Sequence, residues 1–309
     1  MAGKQRPASA RPIGSSASSE RRQRVIPMGF QIAGLALNGV SLLFNEWASS
    51  ALAGLWFTVF KTRPKPWVEN FWANADERFE VSVGESRIPV YGWGQGPTIV
   101  TMHGWSGSGT QFRAFIPALV NAGFRVLSFD APAHGTHPGR QSDLLQFSGS
   151  LQAIERHCGE LHAVIGHSMG GMATVYAIRH GLRLNTVVLV APHLDVRAMF
   201  ATYSSMLGMR PALAQRFNDK IGLRMQAILG GEDPWASLNP EALLTDFDLG
   251  GLLVHDRFDP EIEAALFADI ERLWQNSAVY VTENLGHNRL LKNAAVVDVV
   301  VDHLRASTA

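Results

Sequence analysis

The sequence predicts an α/β protein with a mostly parallel sheet covered by helices on both faces. Three observations carry this. Short runs that are apolar at successive positions recur at 98–102, 125–129, 162–165, 186–190, 252–254 and 278–281. Runs apolar on both faces mark strands buried on both sides. Helical periodicities separate them, at 111–122, 144–158, 170–180, 261–275 and 293–305, as crossover connections between parallel strands require. Finally, 46% of the 309 residues are apolar and 17% charged, enough for one large buried core and too apolar for a disordered chain.

From the N-terminus, residues 1–25 are rich in Ser, Ala, Pro and Arg, end on Arg21, Arg22 and Arg24, and read as a disordered basic tail. Residues 26–61 form an apolar helical arm in which Glu46 is the only charge before Lys61. Met28 to Phe44 is apolar on nearly every face. Beyond it Trp47, Ala48, Leu52, Leu55, Trp56, Val59 and Phe60 fall at helical spacing. So much apolar surface needs a cover. One is the rest of the chain or a second copy of it. Another is a membrane surface, reached by the arginines and anchored by Trp47 and Trp56. A third reading makes the arm a secretory signal cut near Ser50-Ala51-Leu52-Ala53. The scattered Asn and Gly, and a first half shorter than the ~20 residues that span a bilayer, favour packing and a cytoplasmic protein.

Pro64-Lys65-Pro66 is a rigid break at the end of the arm. Residues 77–309 then read as one domain, opening on a hairpin at 78–83 and 87–93 around Gly84-Glu85. The exception to its alternation is 197–249, helical and Met-rich with no strand, which reads as a cap inserted between two core strands.

Lys plus Arg equals Asp plus Glu at 27 each, so no global field favours nucleic acid as a partner. The lone Cys158 excludes an internal disulfide and a cysteine-based zinc site, and reads as a packing residue. No His, Cys or Asp cluster has metal-ligand spacing and no dinucleotide fingerprint is present, so neither metal nor cofactor is expected.

The strongest motif is Ala163-Val164-Ile165-Gly166-His167-Ser168-Met169-Gly170-Gly171, an apolar strand, then G-x-S-x-G, then a helix-forming run. A turn this sharp lifts the Ser168 hydroxyl above the sheet edge, and a side chain at 166 or 170 would collide with the neighbouring strand or helix. The second motif is Val100-Thr101-Met102-His103-Gly104-Trp105-Ser106-Gly107-Ser108-Gly109, an apolar strand entering a Gly-rich loop. It lacks the Lys-Ser/Thr ending of a phosphate loop. If Ser168 attacks a carbonyl, negative charge develops on the oxygen, and fixed N–H donors must meet it. The amide of Met169 is one candidate and that of Trp105 the other.

These segments, with Asp130-Ala131-Pro132-Ala133-His134-Gly135, His255-Asp256-Arg257-Phe258-Asp259-Pro260 and Gly286-His287, resemble the landmarks of the α/β-hydrolase superfamily in their order, from about Glu77 to the C-terminus. The resemblance implies an eight-stranded, mostly parallel sheet, a Ser–acid–His triad and a cap after the sixth strand. It is close to silent on substrate.

A serine hydroxyl needs a base within reach. Of eleven histidines, His287 follows a strand-like run and holds the last place in the order Ser, Asp, His. His103 and His167 sit beside the oxyanion and nucleophile positions, on the wrong side for proton transfer; His134 and His137 belong to a loop; His180 and His303 lie on helices and are expected to be solvated. The resemblance points to Asp259 as the acid, because it lies past the strand and before a proline. Asp256, expected to order the loop or pair with Arg257, and Asp195 stay open. Asp130 is expected to fix the Ala131-Pro132 turn.

A serine at position 168 argues against the dehalogenase and epoxide-hydrolase relatives, which carry Asp there. The expected function is hydrolysis of a carboxylic ester with a small or medium apolar acyl group. Thioester, lactone or carbon–carbon hydrolysis, acyl transfer and perhydrolysis use the same triad. A membrane-surface protein, or a binding protein with a degenerate site, is the contrasting class. Met199, Phe200, Tyr203, Met206, Leu207 and Met209 of the insertion fit an acyl chain, and equally fit packing on the core.

Overall fold

A computed structural model of the chain describes residues 28–308; the expected tail at 1–25 lies outside them. Eight strands form one sheet: β1 (Glu77–Val83), β2 (Ser86–Trp93), β3 (Thr98–Met102), β4 (Arg125–Phe129), β5 (Leu161–His167), β6 (Leu184–Val190), β7 (Gly251–Asp256) and β8 (Ser277–Thr282). Their order is β1-β2-β4-β3-β5-β6-β7-β8. β2 pairs antiparallel with β1 and β4, and every later pair is parallel. β3, β5 and β7 are buried at every position, which is why their sequences are apolar runs without alternation. Predicted strands 98–102 and 125–129 keep their bounds, and the others gain a residue or two at their ends.

The sheet is flanked by α4 (Phe115–Asn121), α5 (Leu144–Cys158), α6 (Met169–Arg179), α11 (Ala264–Leu273) and α13 (Ala294–Ala306), preceded in the chain by α1 (Met28–Ser41), α2 (Asn45–Trp56) and α3 (Trp67–Ala73). Two predicted helices are shorter than expected. Residues 111–122 break into a 3-10 turn, Gly109–Phe112, and α4. Residues 261–263 stay in a loop because the Asp259 carboxylate accepts the amides of Glu261 and Ile262.

Between β6 and β7 the chain forms α7 (Val196–Met206), α8 (Pro211–Ile228), α9 (Pro234–Ser237) and α10 (Pro240–Leu244), with no strand among them. α2 lies along α8. Ala48, Ser49, Leu52 and Ala53 are buried there, and the Trp56 ring meets Tyr203 and Phe217 edge-on. The one acid of the arm is neutralised on α8: Glu46 pairs with Arg216 and, at 3.0 Å, with Lys220. α1 is tied through Asn38, which donates to Gly208 O at 2.7 Å and accepts from Arg210 N at 2.9 Å. The asparagine that interrupts the apolar run is thus a clamp. The packing reading describes the inner faces of both helices. Ser50-Ala51-Leu52-Ala53 lies within α2. Among the described residues no helix is long and apolar enough to cross a membrane.

Candidate active site

Ser168 stands between the end of β5 and the start of α6 with φ 55° and ψ −121°, a backbone state that side chains rarely adopt. The turn is held by its neighbours. Ser168 N donates to Val190 O at 3.1 Å, and Ser168 O accepts from Gly171 N and His193 N. A Cβ on Gly170 would lie 2.4 Å from Met102 O, and one on Gly166 would lie 2.8 Å from Gly170 O. Gly170 therefore lets α6 close onto the end of β3, and Gly166 lets it fold back onto β5.

The partly exposed Ser168 faces a cavity of about 940 Å³. His287 lines the same cavity from α12 (Gly286–Arg289), the short helix after β8, and is otherwise buried. Its Nδ1 lies 2.8 Å from Asp259 Oδ2, and no surface of the Asp259 side chain is exposed. A carboxylate can only accept, so Nδ1 carries the proton and Nε2 is the basic atom. Trp105 and Met169 also line the cavity, and neither amide donates to an acceptor among the described residues. A Cβ on Gly104 would sit 3.0 Å from that of Ser168, so the loop after β3 passes directly beside the serine. The Met169 amide opens α6, where the helix dipole favours negative charge.

The other acids are placed elsewhere. Asp256 accepts from Phe258 N, Thr282 Oγ1 and Leu285 N, binding together the two loops that carry Asp259 and His287. Arg257 pairs with Glu283 instead. Asp195 caps α7 by accepting Ala198 N. Asp130 accepts from Thr136 N and Oγ1, closing the loop that opens with Ala131-Pro132, and from Gly109 N, joining that loop to the one after β3.

Three buried imidazoles brace these loops. His103 donates from Nδ1 to Gly104 O and accepts Ala131 N at Nε2, and burial depresses its pKa to about 4. His167 donates from Nε2 to His287 O; burial, then the neighbouring His287, lower it to about 3. His134 donates from Nδ1 to Pro132 O, and burial and His103 lower it to about 3. His303, expected to be solvated, is half-buried against Thr186, and burial lowers its pKa.

Two contributions were not visible in the sequence. Glu261 lines the cavity with Oε2 3.8 Å from His287 Nε2. The arm supplies Trp56, Phe57 and Leu37 to a wall completed by Met199, Tyr203, Met206 and Met225 of the insertion. The aromatic pair at 56–57 was the available signal. Among the described residues no group of three His, Cys, Asp or Glu side chains is placed to hold a metal ion.

Over residues 97–284 the chain matches the model of the alpha/beta hydrolase fold family. It is 33% identical to a non-heme haloperoxidase of Rhodococcus erythropolis over 103 residues, 32% of this chain and 38% of that protein. It is 27% identical to a pimeloyl-[acyl-carrier protein] methyl ester esterase of Aeromonas hydrophila over 135 residues, 43% of this chain and 51% of the esterase. The matches thus span about half or less of these relatives. A thermophilic esterase structure from Thermogutta terrifontis superposes with a TM-score of 0.55 at 17% identity, covering 75% of this chain and 100% of the other. With a family match over well more than half its length and the sheet order described above, this chain belongs to the α/β-hydrolase family.

Proposed function

We propose that the protein is a serine hydrolase that cleaves carboxylic esters of apolar acids through an acyl-enzyme. One observation carries the reading: a serine held at φ 55° on a strand–helix turn shares a cavity with a histidine whose far nitrogen is 2.8 Å from a buried carboxylate. In this reading the Ser168 Oγ attacks the carbonyl carbon as its proton passes to His287 Nε2. The oxyanion is met by the amides of Trp105 and Met169, and Asp259 steadies the imidazolium. His287 then returns the proton to the leaving alkoxide, giving acyl-Ser168 and a free alcohol. Water, deprotonated by His287, attacks the acyl carbon, and acid and Ser168 are released. The insertion acts as a cap whose methionines, soft and adaptable, contact the acyl chain. The same steps serve thioesters and lactones.

Ser168→Ala should abolish labelling by a fluorophosphonate and lower turnover of p-nitrophenyl esters about a millionfold, with circular dichroism unchanged. Labelling of the variant at the wild-type rate would remove Ser168 as nucleophile.

A further inference from the structure

α1 presents three different faces. At 100° per residue, Gly34, Asn38 and Ser41 fall together against the cap, and a Cβ on Gly34 would lie 1.9 Å from Leu207 O. Gly29, Ala33 and Leu37 line the cavity. Met28, Ile32 and Leu35 point outward, at 74%, 60% and 75% exposure. The turn into α2 extends that outer surface with Leu43, Phe44 and Trp47, each more than 60% exposed. Among the described residues, a single helix with Gly29, Ala33 and Leu37 on its cavity side therefore separates Ser168's cavity from an exposed apolar surface, larger than isolated surface hydrophobics explain.

Charge decides what covers it. Beside this face the exposed Arg210 is bonded through its backbone to Asn38 of α1, and Arg216 and Lys220 share the single acid Glu46 of α2, so cations exceed acids there; Arg21, Arg22 and Arg24 precede α1 in the sequence. Two copies meeting through this face would bring like charges together around it. Anionic headgroups complement the rim, and the apolar face suits the acyl region beneath them. α1 and α2, at 14 and 12 residues, are too short to span a bilayer, so on a membrane the pair would lie in its surface. We propose that the outward faces of α1 and α2 seat the protein on an anionic phospholipid surface, and that the cavity takes a long-chain acyl ester directly from it. The second half rests on the hydrolase reading above.

The full-length protein is centrifuged in a density gradient with vesicles of phosphatidylcholine, alone or mixed with phosphatidylglycerol. It should float with the mixed vesicles, less so at high salt, and Leu35→Glu/Leu43→Glu/Phe44→Glu should stay at the bottom. That variant should hydrolyse water-soluble p-nitrophenyl acetate within about twofold of wild type, while its cleavage of a long-chain ester held in mixed vesicles falls about tenfold or more. Wild-type protein that stays at the bottom at physiological salt overturns the docking surface. So does a lipid-free dimer that the triple variant dissolves, because a second copy would then be the cover. Failure to cleave p-nitrophenyl acetate would instead sink the hydrolase reading and leave the flotation result standing.

Discussion

Asp256 and Asp259 stand three positions apart and have opposite surroundings. One carboxylate accepts three hydrogen bonds, from two loop amides and the Thr282 hydroxyl at the end of β8; the other gives one oxygen to two loop amides and the other oxygen to His287. Asp259→Asn should therefore lower kcat by about 10⁴, since the imidazole loses its tautomer and counter-charge, with little change in melting temperature. Asp256→Asn turns an amide N–H₂ toward Leu285 N–H or Phe258 N–H and should cost about 1–3 kcal/mol of stability, with a smaller loss of kcat. Thermal melts and steady-state kinetics on both variants check this, and the reverse ranking would transfer the acid to Asp256. Ser168 and His287 were legible because each sits in a local context, strand–turn–helix and strand–loop, that a sequence displays. For the acid the residues alone left Asp256 and Asp259 open, because three residues of loop can aim either carboxylate at the histidine; the resemblance pointed to Asp259, and Asp259 is the one that meets His287. Asp195 shows the same limit: a helix cap and a triad acid look alike until the neighbours are in place.

At the level of elements, the parallel strands announced themselves because burial on both faces leaves no room for polar alternation. The arm's helices were legible from their apolar period but their partner was not, since α8 lies far along the chain and no local period encodes that pairing. The arm and the helices between β6 and β7 together wall the cavity, with Met206 on the wall from α7. Met206→Trp should shift preference toward shorter acyl groups, lowering kcat/KM on p-nitrophenyl octanoate about tenfold or more relative to acetate, because bulk added to a packed wall displaces substrate by methylene units worth about 0.8 kcal/mol each. An unchanged octanoate-to-acetate ratio would place the acyl chain elsewhere.

Across the whole molecule, His103, His134 and His167 are buried and neutral, with pKa values of about 4, 3 and 3 against an ordinary 6.5. Unfolding returns each to its ordinary value. Between pH 6.5 and 4 the unfolded chain binds protons that the folded chain refuses, so stability falls on acidification through that window and is level with respect to these groups above it. Each histidine contributes a slope of up to about 1.4 kcal/mol per pH unit. Urea midpoints at pH 5 should lie well below those at pH 7.5. His134→Phe should flatten the dependence by about one proton, and an unaltered slope would show that His134 titrates normally in the folded state.

The clamp from Asn38 to Gly208, and that from Glu46 to Arg216, each join residues 170 positions apart. During synthesis the two amphipathic helices leave the ribosome long before the segment that will receive them. At 5–20 residues per second that interval is roughly 10–30 s. Throughout it their apolar faces have no intramolecular partner, so the nascent chain passes through a stage when chaperones, or whatever surface lies near the exit tunnel, are the only cover on offer.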